Sequence, residues 1–280
     1  MIDEKDGKRY NFGGICKNKD VILLFFDALK GNIWKEGCSV NETLKLLRDR
    51  KSIRVYEDRP IEAEVRQAII DATLRAPTAG NMMLYSVIDV TDQALKEKLA
   101  ESCDHQPFIA KAPMVWVFCA DYRRWMRKFA ACGCDGGTPK GPEEGNFLLA
   151  CSDTLIAAQT AVVAAESLGV GSCYIGDIME QSEYQAELLD LPDYVLPVAM
   201  AVFGYPTEEQ KARRQPDRFP QEMIVFENAY RDIGEDELEH FAEKVQVEAF
   251  YKRKHTSDFM EEMNRSVRAM LQRWKTPTEA

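Results

Sequence analysis

Histidine is scarce in this sequence, with three residues in 280. So few imidazoles leave little scope for general acid–base catalysis by histidine or for a histidine-rich metal centre. Cysteine is better represented, at positions 16, 38, 103, 119, 132, 134, 151 and 173, but there is no C-x-x-C pair. That scatter is unlike the usual zinc and iron–sulfur frameworks. Cys119 and Cys151 sit inside apolar segments and read as small core residues. Only Cys132-Gly133-Cys134 is close-set, in a glycine-rich stretch to Gly145 that reads as an insertion carrying reduced surface thiols. A metal-binding redox module there would need further ligands, and the sequence offers none. Excess positive charge is also missing. Lys and Arg number 36 against 46 Asp and Glu, a net charge of −10, which argues against a general nucleic-acid or anionic-membrane surface. No uninterrupted apolar run reaches membrane-spanning length; Val21–Phe26 is far too short and has no small-residue cleavage site. A cytoplasmic protein is the expectation. Internal repeats and low-complexity tracts are absent.

What is present is ordinary core-forming material, 45% hydrophobic and 29% charged. Ser39 and Glu42 have capping-box spacing ahead of Leu44, Leu46 and Leu47, which predicts a helix. Pro60 opens a second helical pattern through Ala63, Val65, Ala68, Ile69 and Ala72. Strand-like runs follow at Leu84–Val90 and Val115–Cys119, with Asp92 placed to cap the helix between them. Phe147–Leu168 is helical and alanine-rich, which predicts a buried central helix. Val195–Phe203 is apolar nearly throughout and reads as a strand covered on both faces. Beyond Asp236 come two helical segments. The pattern predicts an α+β fold with a mixed sheet, an extension over 1–38, a core over 39–235 and a helical C-terminal arm over 236–280.

The chemistry begins at Arg50-Lys51-Ser52-Ile53-Arg54, a cationic run where the first helix should end. Guanidinium groups bind phosphate bidentately and a serine hydroxyl adds a donor, so the run suits a phosphomonoester. A solvated helix end has the same composition. The run keeps company with Arg75-Ala76-Pro77-Thr78-Ala79-Gly80-Asn81, then Ala164-Ala165-Glu166-Ser167-Leu168-Gly169 leading into Tyr174-Ile175-Gly176. Val202-Phe203-Gly204-Tyr205-Pro206 follows, and then the cluster Lys211, Arg213, Arg214 and Arg218. In this order and spacing the motifs resemble the nitroreductase family of FMN-dependent oxidoreductases, more closely its NADPH nitroreductase and NADPH-flavin oxidoreductase branch.

The resemblance implies an intertwined homodimer with FMN at the subunit interface. It assigns the FMN phosphate to Arg50, Lys51, Ser52 and Arg54 together with Arg218 or, second, Arg214. It points a backbone N–H at flavin N5 from Tyr174, Ile175, Gly176 and Asp177, and places Asn81 and Met83 near the ring. Two positions depart from the family pattern. Asp177 stands where a second glycine is common, and Met83 where a glutamine would bond the pyrimidine edge. Arg253, Lys254 and His255 are candidates for the 2′-phosphate of NADPH. The implied reaction is ping-pong hydride transfer from NADPH or NADH through FMN to small electron acceptors: nitroaromatics, quinones or flavins. A flavin-binding sensor or carrier without turnover is the competing reading.

Overall fold

The computed structural model describes residues 41–239 and 244–276. The extension over 1–38 and the Ser39 cap lie outside these residues. Contacts discussed below fall within the compact unit Lys45–Ala280, apart from the Asn41 cap, which lies within Met1–Leu44. Fifteen α-helices and strands are used here: α1 Glu42–Asp49, α2 Ala63–Thr73, β1 Tyr85–Val90, α3 Gln93–Ser102, α4 Pro107–Lys111, β2 Met114–Asp121, α5 Arg123–Ala131, α6 Glu144–Ser167, β3 Gly171–Ile175, α7 Ser182–Leu188, β4 Val195–Gly204, α8 Glu208–Ala212, α9 Glu235–Glu239, α10 Lys244–Lys254 and α11 Asp258–Lys275.

Two strands, β2 and β4, are buried along their whole length and form the middle of a sheet ordered β1–β2–β4–β3. Their side chains alternate between two apolar layers, as the period of a strand requires. Val115, Val117, Cys119, Met200 and Val202 face one layer; Met114, Trp116, Phe118, Ala201 and Phe203 face the other. The expected double coverage of Val195–Phe203 is therefore realised. The register shifts between Phe118 and Cys119, where Cys119 pairs with Pro197 and Phe118 with Ala199. The bulge accommodates a proline that lacks the ladder donor. All four strands pair antiparallel. The mixed character expected of the sheet is confined, among the described residues, to one parallel bridge between Ser52 and Ser172.

Helix α6 lies against the second layer. By length and hydropathy alone it would cross a membrane, but Ala150, Ala157, Ala158, Ala161 and Ala165 are buried against α2 and the sheet. Small side chains bring the backbones close, which is the predicted central helix. Its outer side carries Leu148, Leu149, Leu155 and Ile156, all exposed. Local signals act as expected at Asp92, whose carboxylate accepts from Leu95 N at 2.7 Å. Asn41 does the same for Leu44 N at 2.9 Å. The C-terminal helices divide. α11 buries Ser266, Met270 and Trp274 on its own subunit, with the Trp274 ring edge-on to Tyr122, Phe147 and Tyr194. In α10, Val247, Phe250 and Tyr251 remain exposed.

Candidate functional site

The cationic run lies along the outer edge of β3. Ile53 N donates to Ser172 O at 2.8 Å, and Ser52 makes the parallel bridge to the same residue. Gly171 permits this approach, because a Cβ there would stand 2.5 Å from Ile53 Cγ1. Three side chains then join the run to the loop after α8. Lys51 Nζ donates to the carbonyls of Lys211 and Arg213 at 2.7 and 2.8 Å. Gln215 Nε2 donates to the carbonyls of Arg48 and Arg50 at 2.7 and 2.6 Å. The Arg213 guanidinium donates back to Ser52 O. Lys51 thus closes the loop rather than facing outward, and Arg213 is carried into the run.

The Cys173 thiol feels the charge of this cradle. Burial raises its pKa, while Arg54, the Ser52 hydroxyl, Arg50 and Arg213 pull the other way. Among the described residues, neither Arg50 nor Arg54 gives its guanidinium to a carboxylate; Arg54 lies over the Phe108 ring at 5.8 Å. Glu166 stands nearby with one carboxylate oxygen buried and unpartnered. Burial raises its pKa against the attraction of Arg50 and Lys51. Three guanidiniums and a hydroxyl, converging with donors to spare in an acidic chain, fit a phosphate dianion. Arg214 pairs instead with Asp217 at 2.7 Å, and Arg218 donates to Pro216 O at 3.1 Å.

The strand leading from the cradle ends at Tyr174, Ile175 and Gly176. The Tyr174 hydroxyl reaches Gln159 Oε1 at 3.4 Å, and Ile175 is buried. At Gly176 an added Cβ would meet nothing within 4 Å, so the main chain there borders open space. The Asp177 carboxylate accepts from Gln106 Nε2 at 3.1 Å, which ties it to its own subunit.

Asn81 and Met83 lie elsewhere. Gly80, Asn81 and Met83 all have positive φ, an uncommon conformation for an unbranched apolar residue such as Met83. Asp153, buried midway along α6, accepts from Ala79 N at 2.9 Å and Leu84 N at 3.1 Å. From the other side Arg124 donates to the carbonyls of Met83 and Tyr85, each at 2.7 Å, and Trp125 Nε1 to Met82 O at 2.8 Å. Tyr85 is turned into the core, its hydroxyl on Thr73 O at 3.2 Å. Asn81 and Met83 line an apolar groove of about 680 Å³ with Ile70, Leu74, Trp116 and Trp125. Asp153 and Glu166 mark the two ends of this arrangement on α6. Thirteen residues at 1.5 Å each separate them, about 20 Å.

Comparison with known proteins decides the family. The nitroreductase family model matches residues 47–205, more than half of the chain. The chain belongs to the nitroreductase family. It is 34% identical over 206 residues to the oxygen-insensitive NADPH nitroreductase of Salmonella typhimurium, covering 74% of this chain and 82% of that one. Identity to an FMN reductase [NAD(P)H] of Bacillus subtilis is 37% over 202 residues, 71% and 78% of the two chains. Among solved structures, the NADPH:FMN oxidoreductase of Vibrio harveyi, complexed with NAD+, superposes with a TM-score of 0.69 at 26% identity. It covers 82% of this chain and 98% of that one.

In this member of the family the run Arg50, Ser52 and Arg54 lies along β3, and the Gly176 main chain borders open space at that strand's end. Sequence reasoning counted Arg213 in the basic cluster without choosing it and passed over Gln215; the contacts of both reach residues more than 160 positions away. It also passed over Asp153. Its signal was there to use: a carboxylate midway along an alanine-rich helix.

Proposed function

We propose that this chain is an NAD(P)H-dependent flavin oxidoreductase that holds FMN and reduces small electron-poor acceptors such as nitroaromatics, quinones or flavins. The observation that carries the proposal is the cradle: the cationic run laid along β3 and tied to the Arg213 loop, with neither Arg50 nor Arg54 given to a carboxylate among the described residues. Arg218, which the motif order favours for the phosphate, stays in the proposed set with Arg214 on the same loop. Bound there, FMN supplies hydride exchange at N5. The protein's part is to anchor the phosphate and present the Gly176 main chain to the ring, with the Asp177 carboxylate held aside by Gln106. NAD(P)H and acceptor then use the same exposed face in turn, the ping-pong order. Relatives named for NADPH and for FMN support the reading.

The working unit in this proposal is a cytoplasmic homodimer. Asn81 and Met83 stand about 20 Å along α6 from the cradle, so one subunit does not wrap a single flavin with both. The exposed row Leu148, Leu149, Leu155 and Ile156 offers an apolar face for a second copy. Titration of the purified protein with FMN, followed by anaerobic NADPH, tests the proposal through the visible spectrum. Flavin bands that shift on binding and bleach within seconds are expected. Riboflavin, lacking the phosphate, should bind at least about tenfold more weakly, and Arg54→Ala should erase that difference. A flavin that binds but stays oxidised with both nicotinamides would instead establish a carrier or sensor. A monomer in sedimentation would refute the shared-site arrangement.

A further inference from the structure

Of the six cysteines described, only Cys132 and Cys134 are exposed. They flank Gly133 in a turn that follows α5. Gly133 is left-handed, with φ 75° and ψ 18°. A residue with helix-like dihedrals of either hand sets its neighbours' Cα atoms about 5.4 Å apart, from a 2.3 Å radius and a 1.5 Å rise. Disulfides span roughly 4.4–6.8 Å between Cα atoms, so this backbone already holds the two cysteines at bridging distance. An extended residue between them would carry them to the limit of that range. The turn is also free to adjust: a Cβ at Gly133, Gly136 or Gly137 would meet nothing within 4 Å.

The surroundings select the reactant. The chain carries a net charge of −10, yet Arg123, Arg124, Arg127 and Lys128 line a cleft on α5 against two carboxylates, Asp121 and Asp190; Arg124 pairs with Asp121, and among the described residues the other three side chains have no ion-pair partner. Lys128 lies one helical turn before Cys132, whose N–H bonds its carbonyl at 3.0 Å. A local cationic patch on an acidic molecule draws small anions to the thiols beside it.

The geometry points to Cys132 and Cys134 as a redox-active dithiol that reduces anionic small-molecule disulfides. One thiolate attacks a sulfur of the disulfide, forming a protein mixed disulfide and expelling one thiolate. The second protein thiolate attacks the first cysteine's own Sγ in that mixed disulfide, closing the Cys132–Cys134 bond and expelling the other small-molecule thiolate. Two protein thiols are oxidised and one disulfide is reduced to two thiols, which take up the two protons released. The site is independent of the flavin cradle.

Full-length protein is incubated with glutathione disulfide and read by intact mass and by peptide mapping. The wild type is expected to lose the mass of two hydrogens, mapped to the Cys132–Cys134 peptide and restored by dithiothreitol. Cys132→Ser and Cys134→Ser cannot close the ring and should each retain glutathione on the remaining sulfur, at least about tenfold more than the wild type. Arg127→Glu combined with Lys128→Glu should slow the first step about tenfold. Wild-type protein that accumulates glutathione adducts at these positions without bridging, or that stays reduced while the serine variants react, overturns the proposal. An unchanged rate in the charge-reversed variant overturns the choice of an anionic disulfide.

Discussion

Replacing Asp153 by asparagine should loosen the turn that carries Asn81 and Met83 without disturbing the rest of the molecule. Asp153 is 2% exposed, and its two oxygens hold Ala79 N and Leu84 N at 2.9 and 3.1 Å. Asparagine keeps one acceptor and turns an N–H₂ toward the other donor. A charge-assisted bond of about 1.5–3 kcal/mol is lost and the survivor weakens to about 1 kcal/mol, so the turn loses roughly 2–5 kcal/mol. At 1.4 kcal/mol per factor of ten, amide exchange at whichever of Ala79 and Leu84 loses its acceptor should rise at least about thirtyfold. Hydrogen exchange resolved over residues 78–84 is the assay. Asp153→Ala should open both positions. Ser152→Ala is the control, because that exposed hydroxyl returns only to Leu148 O, and it should lie within about 0.5 kcal/mol of wild type. Exchange at Ala79 and Leu84 both unchanged in Asp153→Asn would show that the carboxylate does not hold the turn.

Other perturbations have equally definite outcomes. Glu180 is buried, and burial with Asp177, Asp104 and Glu262 nearby raises its pKa to about 7 from 4.5. An acid with a higher pKa folded than unfolded binds its proton more tightly folded. Stability is therefore full below about pH 4.5 and falls as pH climbs through about 7. Glu180→Gln should add up to about 3 kcal/mol at pH 8 and nothing at pH 4, measured by urea unfolding at both; a gain of equal size at both would refute the assignment. Gly171→Ala places a methyl 2.5 Å from Ile53 Cγ1, which should cost about 1–3 kcal/mol and weaken FMN binding about tenfold. Adding Ile53→Ala should recover the binding, and failure to do so would point to strain elsewhere in β3. Trp274→Ala empties a site between Tyr122, Phe147 and Tyr194 and removes the second of two donors to Glu143 O, so chemical denaturation should show a loss of about 3–5 kcal/mol.

Local patterns were the legible part of this fold. The apolar run at 195–203 could only be a strand covered twice, and the alanines of 147–168 could only pack closely. Asp92 could be read as a cap because its partner is three residues away. Strand direction was less legible, because pairing sense depends on how the chain returns between strands and not on the strand's own residues. The cationic run at 50–54 suggested the anion site proposed above, yet the sequence could not show that Lys51 faces inward while Arg213 faces the run. Both facts rest on contacts between residues 160 or more positions apart. The groove beside Met83 had no local signature either, since it is assembled from α2, β1, β2 and α5.

Those long separations have a consequence in time. During synthesis the Arg50–Arg54 run leaves the ribosome well before the loop that completes it. At about 5–20 residues per second, the roughly 160 intervening residues take some ten to thirty seconds. Throughout that interval Lys51 has no carbonyls to grasp, and Arg213 does not yet exist. A chain stalled or clipped before position 213 never assembles the cradle, whatever the state of its core. With the cradle holding flavin as proposed, yellow colour in a preparation would count chains extended past position 215, and the ratio of flavin to protein would report that fraction.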